Sequence, residues 1–202
     1  MDINNINEML VDVLKEIGNI GAGNAATALA KMIDKKVDMM VPQVKIIDIE
    51  EIADILGGAE MPVVGIYFQM KGDIDGNMMF LLDLESANNL IPMIFYREKE
   101  TDELDAMDIS VLSEVGNILA ASYMNSLSKL TNLTLNISIP SVSIDMVGAI
   151  LSVPAIQFGQ FSDKLLFIET EFVEDEREVT GDFFLLPEIE SFDKILKALG
   201  VA

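Results

Sequence analysis

Two stretches of the chain carry a polar triplet whose groups could bind and orient another molecule. In both triplets a glutamate follows the first member by four residues, and an asparagine follows the glutamate by three. The triplets are Asp12, Glu16 and Asn19 in DVLKEIGN, and Ser110, Glu114 and Asn117 in SVLSEVGN. Because residues three and four positions apart share one face of an α-helix, each triplet predicts a polar stripe along a helix.

The residue types that the chain lacks narrow the chemistry open to these stripes. The chain has no histidine and no cysteine. That absence excludes Ser-His-Asp and Cys-His catalysis as well as the common zinc sites. Any reaction must use carboxylate, amide, hydroxyl or basic side chains, or groups that a partner supplies.

Charge and hydropathy narrow the class of partner. The net charge of −21 would repel phosphate backbones and anionic lipid, so we expect neither a nucleic-acid nor a membrane-surface role. We expect no membrane insertion, because no uninterrupted apolar run could span a bilayer. The N-terminal stretch MDINNINEML resembles no secretory signal, and we expect a cytoplasmic protein.

Each stripe gains a fourth member one turn further along its helix. On an ideal helix the four positions of the first copy fall within a sector roughly 60° wide. The added residues are Gly23 in the first copy and Ala121 in the second. A glycine costs about 1 kcal/mol relative to alanine inside a helix, so each one requires a reason. For Gly18 and Gly21 we expect close packing, whereas Gly23 would let another molecule approach Asn19.

The two stripes belong to an internal duplication. LKEIGNIGAGNAATALAKM (14–32) aligns with LSEVGNILAASYMNSLSKL (112–130) at an offset of 98, and GNMMFLLD (76–83) aligns with GDFFLLPE (181–188) at an offset of 105. We place the two copies at residues 1–97 and 102–202, joined by the charged connector 97–105. Retention of glutamate and asparagine in both copies, while the flanking residues differ, indicates a shared function.

Each copy predicts the same order of elements. A long helix (6–33 and 104–131) precedes a mixed strand around a proline (36–48 and 133–145) and a short irregular or helical piece. Two strands follow (62–71 with 76–83, and 164–173 with 180–187), and a second helix closes each copy (86–96 and 189–199). We expect an α+β fold in which both copies share one mostly antiparallel sheet with pseudo-two-fold symmetry, as one domain over residues 1–202.

At these residues the sequence resembles the CheC–CheX–FliY phosphatase family of bacterial chemotaxis. The motif of that family is Asp or Ser, three residues, Glu, two residues and Asn, and it is present here twice. The family often has a glycine four residues after the asparagine, which Gly23 matches and Ala121 does not. The resemblance covers essentially the whole chain.

The resemblance implies hydrolysis of the aspartyl phosphate of phosphorylated CheY, a response regulator. It implies that Asn19 and Asn117 orient the attacking water and that Glu16 and Glu114 bind a basic group of the regulator. Asp12 and Ser110 would support that contact. It implies no cofactor on this chain, because the regulator supplies its own Mg²⁺.

The resemblance also implies a second partner, the receptor deamidase CheD, and the segment MVGAILSVPAIQFG (146–159) could contact it or pack in the core. We expect a monomer, since the duplication could replace a homodimer. The alternative to an enzyme is a non-catalytic chemotaxis or flagellar-switch module on the same fold. A metal-dependent hydrolase would have to rely on acidic residues that solvated turns also explain; they are Asp73, Asp75, Asp182 and Glu188.

Overall fold

Both halves of the chain fold through the same order of elements. The computed structural model describes residues 3–48, 51–95, 101, 103–157, 164–174 and 177–200. The helices are α1 (Ile3–Ile33), α2 (Glu51–Ile55), α3 (Leu84–Phe95), α4 (Ala106–Thr131), α5 (Val147–Gln157) and α6 (Ile189–Ala198). The strands are β1 (Asp38–Met40), β2 (Val44–Asp48), β3 (Pro62–Gly72), β4 (Gly76–Asp83), β5 (Leu135–Ile137), β6 (Ser141–Met146), β7 (Lys164–Glu174) and β8 (Arg177–Pro187). Within these residues no helix has the length and apolar character that crossing a membrane requires.

The eight strands form one antiparallel sheet in which the two copies exchange strands. The order is β1-β7-β8-β4-β3-β5, with β2 also paired to β7 and β6 also paired to β3. The first copy therefore places β1 and β2 on the second copy's hairpin, and the second copy places β5 and β6 on the first copy's hairpin. This arrangement confirms the predicted mixed fold with a continuous, mostly antiparallel sheet.

The register of the strands follows the duplication. Val44 of β2 lies opposite Ile168 of β7, and Val142 of β6, its counterpart 98 residues later, lies opposite Ile66 of β3. The two halves meet where β4 pairs with β8. Equivalent strands therefore contact equivalent partners, which is the pairing that a pseudo-two-fold axis between β4 and β8 requires.

The predicted offset of 105 is confirmed where the last strands end, since α3 begins at Leu84 and α6 begins at Ile189, whereas the pairing of β7 with β8 corresponds to an offset of 103. Met70 lies opposite Gly76 in the first hairpin, whereas Phe172, the equivalent of Met70, lies opposite Val179 in the second. The gap predicted between the strands 164–173 and 180–187 is also too long, because β8 begins at Arg177. Val179 is buried in the core, which explains why this charged segment joins the sheet.

The sheet separates two layers of packing. One face packs against α1, α3 and α4 through a large core that includes Phe80, Tyr123 and Phe183. The opposite face packs against α2 and α5 through a smaller core that includes Met79 and Phe184. The long helices that carry both polar stripes thus lie together on one face of the sheet, as the α+β prediction requires.

Prolines divide two predicted strands. The predicted strand 36–48 is two short strands, β1 and β2, separated at Pro42, and the predicted strand 133–145 is β5 and β6, separated at Pro140. Proline has no N–H to donate to a strand ladder, so it interrupts the pairing. Of the predicted connector 97–105, residues 97–100 and 102 lie outside the described part of the chain, and Asp105 is the N-cap of α4.

A carboxyl group on the face opposite α1 and α4 should make stability depend on pH. Asp182 lies opposite Glu169 in the β7–β8 ladder. Burial, together with repulsion from Glu169 and Asp83, raises the pKa of Asp182 to about 7. Because the folded-state pKa is raised, the contribution of Asp182 to stability is full at acidic pH and is lost as pH rises towards and through 7.

We therefore expect Asp182→Asn to raise the free energy of unfolding at pH 8 more than at pH 4. Urea unfolding at both pH values tests this expectation, with Asp193→Asn, an exposed carboxylate on α6, as the control. An equal effect of Asp182→Asn at the two pH values would contradict it.

Candidate active site on two paired helices

The two stripe-bearing helices pack directly against each other. Gly21 of α1 lies against Tyr123 of α4, and a Cβ added at Gly21 would lie 3.2 Å from the Tyr123 Cα and closer still to its ring. Nearby, the Asn24 amide donates to the Ser126 hydroxyl at 3.4 Å. These contacts hold the helices side by side and leave their stripes to face outward.

Two further glycines let the helices approach the sheet. A Cβ added at Gly18 would lie 3.2 Å from Val41 Cγ1, and one added at Gly116 would lie 2.8 Å from Ile66 Cδ1. Real Cβ atoms rarely make contacts this short, so a larger residue would push the helix outward. The packing predicted for Gly18 and Gly21 is therefore confirmed.

Tyr123, which was not predicted from the sequence, anchors α4 to the sheet. Its side chain is buried, and its hydroxyl shares a 2.9 Å hydrogen bond with Thr170 of β7. Burial raises the pKa of Tyr123 to about 12, so the phenol stays neutral. The signal was present in the alignment, since tyrosine replaces Ala25 in the second copy while leucine replaces Gly21. The bulky tyrosine of one helix thus occupies the space that the glycine of the other leaves.

Substitutions at Gly21 and Gly23 should therefore change stability in opposite directions. We expect Gly21→Ala to lower the free energy of unfolding by about 1–3 kcal/mol, because overpacking against Tyr123 outweighs the gain in helix propensity. A Cβ added at Gly23 would meet nothing within 4 Å, so Gly23→Ala is the matched control and should stabilise by up to about 1 kcal/mol. Urea denaturation measures both, and a stabilising Gly21→Ala would refute the packing argument.

The first stripe is open to solvent along its whole length. All four of its side-chain positions are exposed; they are Asp12, Glu16, Asn19 and Gly23. The absence of a Cβ at Gly23 leaves space directly beside the helix. The stripe can therefore accept the surface of a macromolecule without moving a side chain aside.

The second stripe is less open. Ser110 and Glu114 are exposed, but Asn117 and Ala121 are half-buried. The Ser110 hydroxyl donates to the Ala106 carbonyl at 2.9 Å, so its proton is used within α4, and its oxygen can still accept a hydrogen bond. The structure thus presents both predicted triplets on one helix face each, but not with the same accessibility.

The start of α4 is fixed by a reciprocal cap. The Asp105 carboxylate accepts from the N–H groups of Met107 and Asp108 at 2.8 and 2.9 Å, and the Asp105 N–H donates to the Asp108 carboxylate at 3.1 Å. Such a capping box satisfies N–H groups that a helix start leaves unpaired. Ser110 and Glu114 lie in the next two turns, so the cap positions the second stripe.

Of the acidic residues named for a metal-dependent hydrolase, Asp73 uses its carboxylate within the fold, and Asp75 and Glu188 bond through their backbone groups. Asp73 accepts from the Thr134 N–H at 2.6 Å, and the Asp75 N–H donates to the Ser191 hydroxyl at 2.8 Å. The Glu188 N–H donates to the Asp75 carbonyl at 2.9 Å, whereas Asp182 lies within the sheet. Over the described ranges no group of carboxylates is arranged to hold a metal ion.

The segment 146–159 is helical over α5. Within the segment, Val147 and Ile150 are buried against the sheet. Met146, Gly148 and Ala149 are exposed. Core packing is therefore confirmed for one side of the segment. The other side stays a candidate surface for a partner, and residues 158 and 159 lie outside the described part of the chain.

Comparison with protein families matches both stripes. A model described as the CheC-like family matches residues 9–46 and 107–144. These two ranges are separated by the same 98 residues as the two triplets, and each contains one triplet. The family match thus falls on the duplicated helix and the strands that follow it.

Individual proteins extend the similarity to the whole chain. CheY-P phosphatase CheC of Bacillus subtilis (strain 168) is 38% identical over 204 residues, covering 98% of this chain and 98% of its own length. The crystal structure of Thermotoga maritima FliY has a TM-score of 0.72 at 24% identity, covering 94% and 95% of the two chains. A chain of the CheX–CheY–BeF3–Mg²⁺ complex of Borrelia burgdorferi has a TM-score of 0.51 at 16% identity, covering 83% of this chain and 96% of its own. The two solved structures share the fold.

Proposed function

The chain belongs to the CheC-like family, and from that premise we propose that it is a protein phosphatase that hydrolyses the aspartyl phosphate of phosphorylated CheY. The relative that is 38% identical over nearly the full length bears the name of that activity. The observation that carries the proposal is the Glu–Asn stripe on both of the paired helices, which is exposed on α1 and partly exposed on α4.

The proposed chemistry needs little from this chain. An acyl phosphate is already reactive, and attack on it profits mainly from positioning and charge neutralisation. A neutral amide suits the task, because its oxygen can accept a hydrogen bond from water without adding negative charge beside the phosphoryl group. We assign this role to Asn19 and Asn117. No covalent intermediate on the chain is involved.

The glutamates would set the register of the complex. We assign to Glu16 and Glu114 a charge-assisted contact with a basic group of CheY, such as a lysine near its phosphate. Asp12 and Ser110 lie one turn earlier and would support that contact. The Mg²⁺ that neutralises the phosphoryl oxygens would be the regulator's own, bound to its residues rather than to this chain.

Three further proposals concern the oligomeric state of the protein, its location and a second partner. We propose that the chain acts as a monomer in the cytoplasm and that it also binds CheD. The surface we assign to CheD is formed by the exposed residues Met146, at the end of β6, and Ala149, on α5. A pull-down of CheD with wild-type protein and with Ala149→Arg would test that surface, and equal capture by both would reject it.

The decay of phosphorylated CheY tests the proposed activity directly. CheY is phosphorylated with a small phosphodonor in the presence of Mg²⁺, and its decay is followed with and without catalytic amounts of this protein. Faster decay that scales with the protein's concentration would support the proposal. Unaltered decay would instead favour the non-catalytic chemotaxis or flagellar-switch module.

A further inference from the structure

An exposed methionine lies at the start of the second stripe, and the chemistry proposed above does not use it. Among the described side chains of α1 and α4, Met107 has the most exposed large apolar one, at 58%. Met107 precedes Glu114 by seven residues, which make almost two full turns of an α-helix. It therefore shares the face of Glu114 to within roughly 20° and extends the second stripe by one turn beyond Ser110.

The first copy carries a methionine at the same place in its sequence. Met9 precedes the glutamate of the first stripe by seven residues, as Met107 does in the second, and the two methionines are separated by the same 98 residues as the triplets. When residues 1–12 are aligned with residues 99–110 at this offset, methionine is the only identical pair. The copies thus differ at every other position ahead of the shared apolar and polar residues, but both keep this methionine.

The start of α4 does not require the Met107 side chain. The Met107 N–H donates to the Asp105 carboxylate, and this backbone contact is the same for any residue except proline. The apolar contact that often fixes a helix start joins the residue before the N-cap to the fourth helical residue, here Leu104 and Ile109. Both are half-buried, and Leu104 packs against the core. The fold therefore leaves the Met107 side chain facing solvent.

The chemistry of this side chain suits a recognition contact. Methionine is flexible and polarisable, so it adapts to apolar surfaces of different shape, and it is enriched at protein interfaces. Burial of apolar surface is favourable whatever the charge of the partner, which matters for a chain with a net charge of −21. Single exposed apolar residues are common on proteins, so exposure alone would not identify a contact. The position of Met107 on the stripe and its repetition in both copies do so.

We propose that Met107 is a recognition residue that packs on an apolar patch of the phosphorylated response regulator, beside the basic group that Glu114 binds. The inference rests on the proposed function for the identity of the partner. Along α4, Glu114 lies about 10 Å beyond Met107 and Asn117 lies about 15 Å beyond it. The methionine therefore contacts the regulator away from the phosphoryl group, and it acts on affinity rather than on the chemical step.

The kinetic test isolates the second stripe by disabling the first with Glu16→Lys and Asn19→Ala. In this background, Met107→Ala should raise KM for phosphorylated CheY roughly 5- to 30-fold and leave kcat unchanged. Because the contact is apolar, the factor should be nearly the same at low and at high salt. Met107→Leu keeps a similar apolar volume, so it should hold KM within about 2-fold of the background value.

Leu130→Ala in the same background is the matched control. Leu130 is an exposed apolar residue on the same helix, at 45%, but it follows Glu114 by sixteen residues, which places it roughly 160° away from the stripe. Its replacement should leave KM unchanged. The melting temperature of Met107→Ala should equal that of the background, because an exposed side chain contributes little to the core.

A binding measurement keeps this inference separate from the proposed activity. The probe is CheY activated with beryllofluoride and Mg²⁺, titrated against the same variants. If wild-type protein bound the probe but did not hydrolyse the phosphate, the proposed function would be overturned, whereas a Kd weakened by Met107→Ala and kept by Met107→Leu would still support the recognition contact. Equal Kd values for Met107→Ala and its background, an equal loss in Leu130→Ala, or no binding of the probe by wild type would each overturn the inference.

Discussion

Replacing both Asn19 and Asn117 with alanine should abolish the acceleration of CheY phosphate decay. If each asparagine holds the attacking water in line, its loss removes the positioning on which the reaction depends. A misplacement of about 1 Å can cost on the order of 100-fold in rate, so we expect the double variant to lose at least that factor in kcat. Asn19 is exposed and Asn117 is half-buried, so neither side chain belongs to the core and the fold should be retained.

The single variants should divide the activity between the two stripes. Asn19→Ala leaves only the half-buried Asn117, and Asn117→Ala leaves only the exposed Asn19, so the two residual rates report the competence of each stripe. Asn125→Ala removes an exposed amide from α4 that belongs to neither stripe and serves as the control. A double variant that stays folded by circular dichroism and still hydrolyses phosphorylated CheY at the wild-type rate would reject the role of the asparagines.

Reversing the charge of Glu16 and Glu114 should have the second largest effect, and it should act on binding. If the glutamates pair with a basic group of CheY, lysine at these positions replaces attraction with repulsion. Truncating one partner of such a pair typically costs 2 kcal/mol or more, so we expect KM to rise roughly 30-fold or more. The Glu16→Gln and Glu114→Gln double variant should give a smaller increase of the same kind.

The control for this prediction is Glu190→Lys, which reverses an exposed charge on α6 that belongs to neither stripe. This control reports the effect of a change in net charge. That effect has to be separated from the loss of a specific contact, because the chain carries a net charge of −21. Steady-state kinetics over a range of phosphorylated CheY concentrations separates KM from kcat. A fall in kcat with an unchanged KM would mean that the glutamates take part in the chemical step rather than in recognition.

Local patterns in the sequence were sufficient to predict the helices that carry the site. The spacing of apolar residues and the repeated Glu–Asn pair placed the stripes on α1 and α4, because helix periodicity relates residues only three or four positions apart. The same local reasoning identified Gly18 and Gly21 as packing positions. It did not identify Tyr123, because the contact between Tyr123 and Gly21 joins residues that are far apart in the chain.

Features that depend on distant pairing were predicted less well. The sequence indicated one shared sheet, but not that β1 and β2 would pair with β7, since strand register is decided by contacts between the copies. The pairing of β7 with β8 differs by two residues from the one that the aligned sequences give, which keeps every side chain on its proper face and so leaves the hydrophobic pattern unchanged.

The exchange of strands between the copies has a consequence for synthesis on the ribosome. When the first copy has emerged, β3 has its hairpin partner β4 but not β5 or β6, and β1 and β2 have no β7 to pair with. The nascent half therefore exposes strand edges, which invite association with other chains. The sheet cannot be completed until translation reaches the β7–β8 hairpin. The growing chain therefore needs protection from association with other chains until most of it has been synthesised.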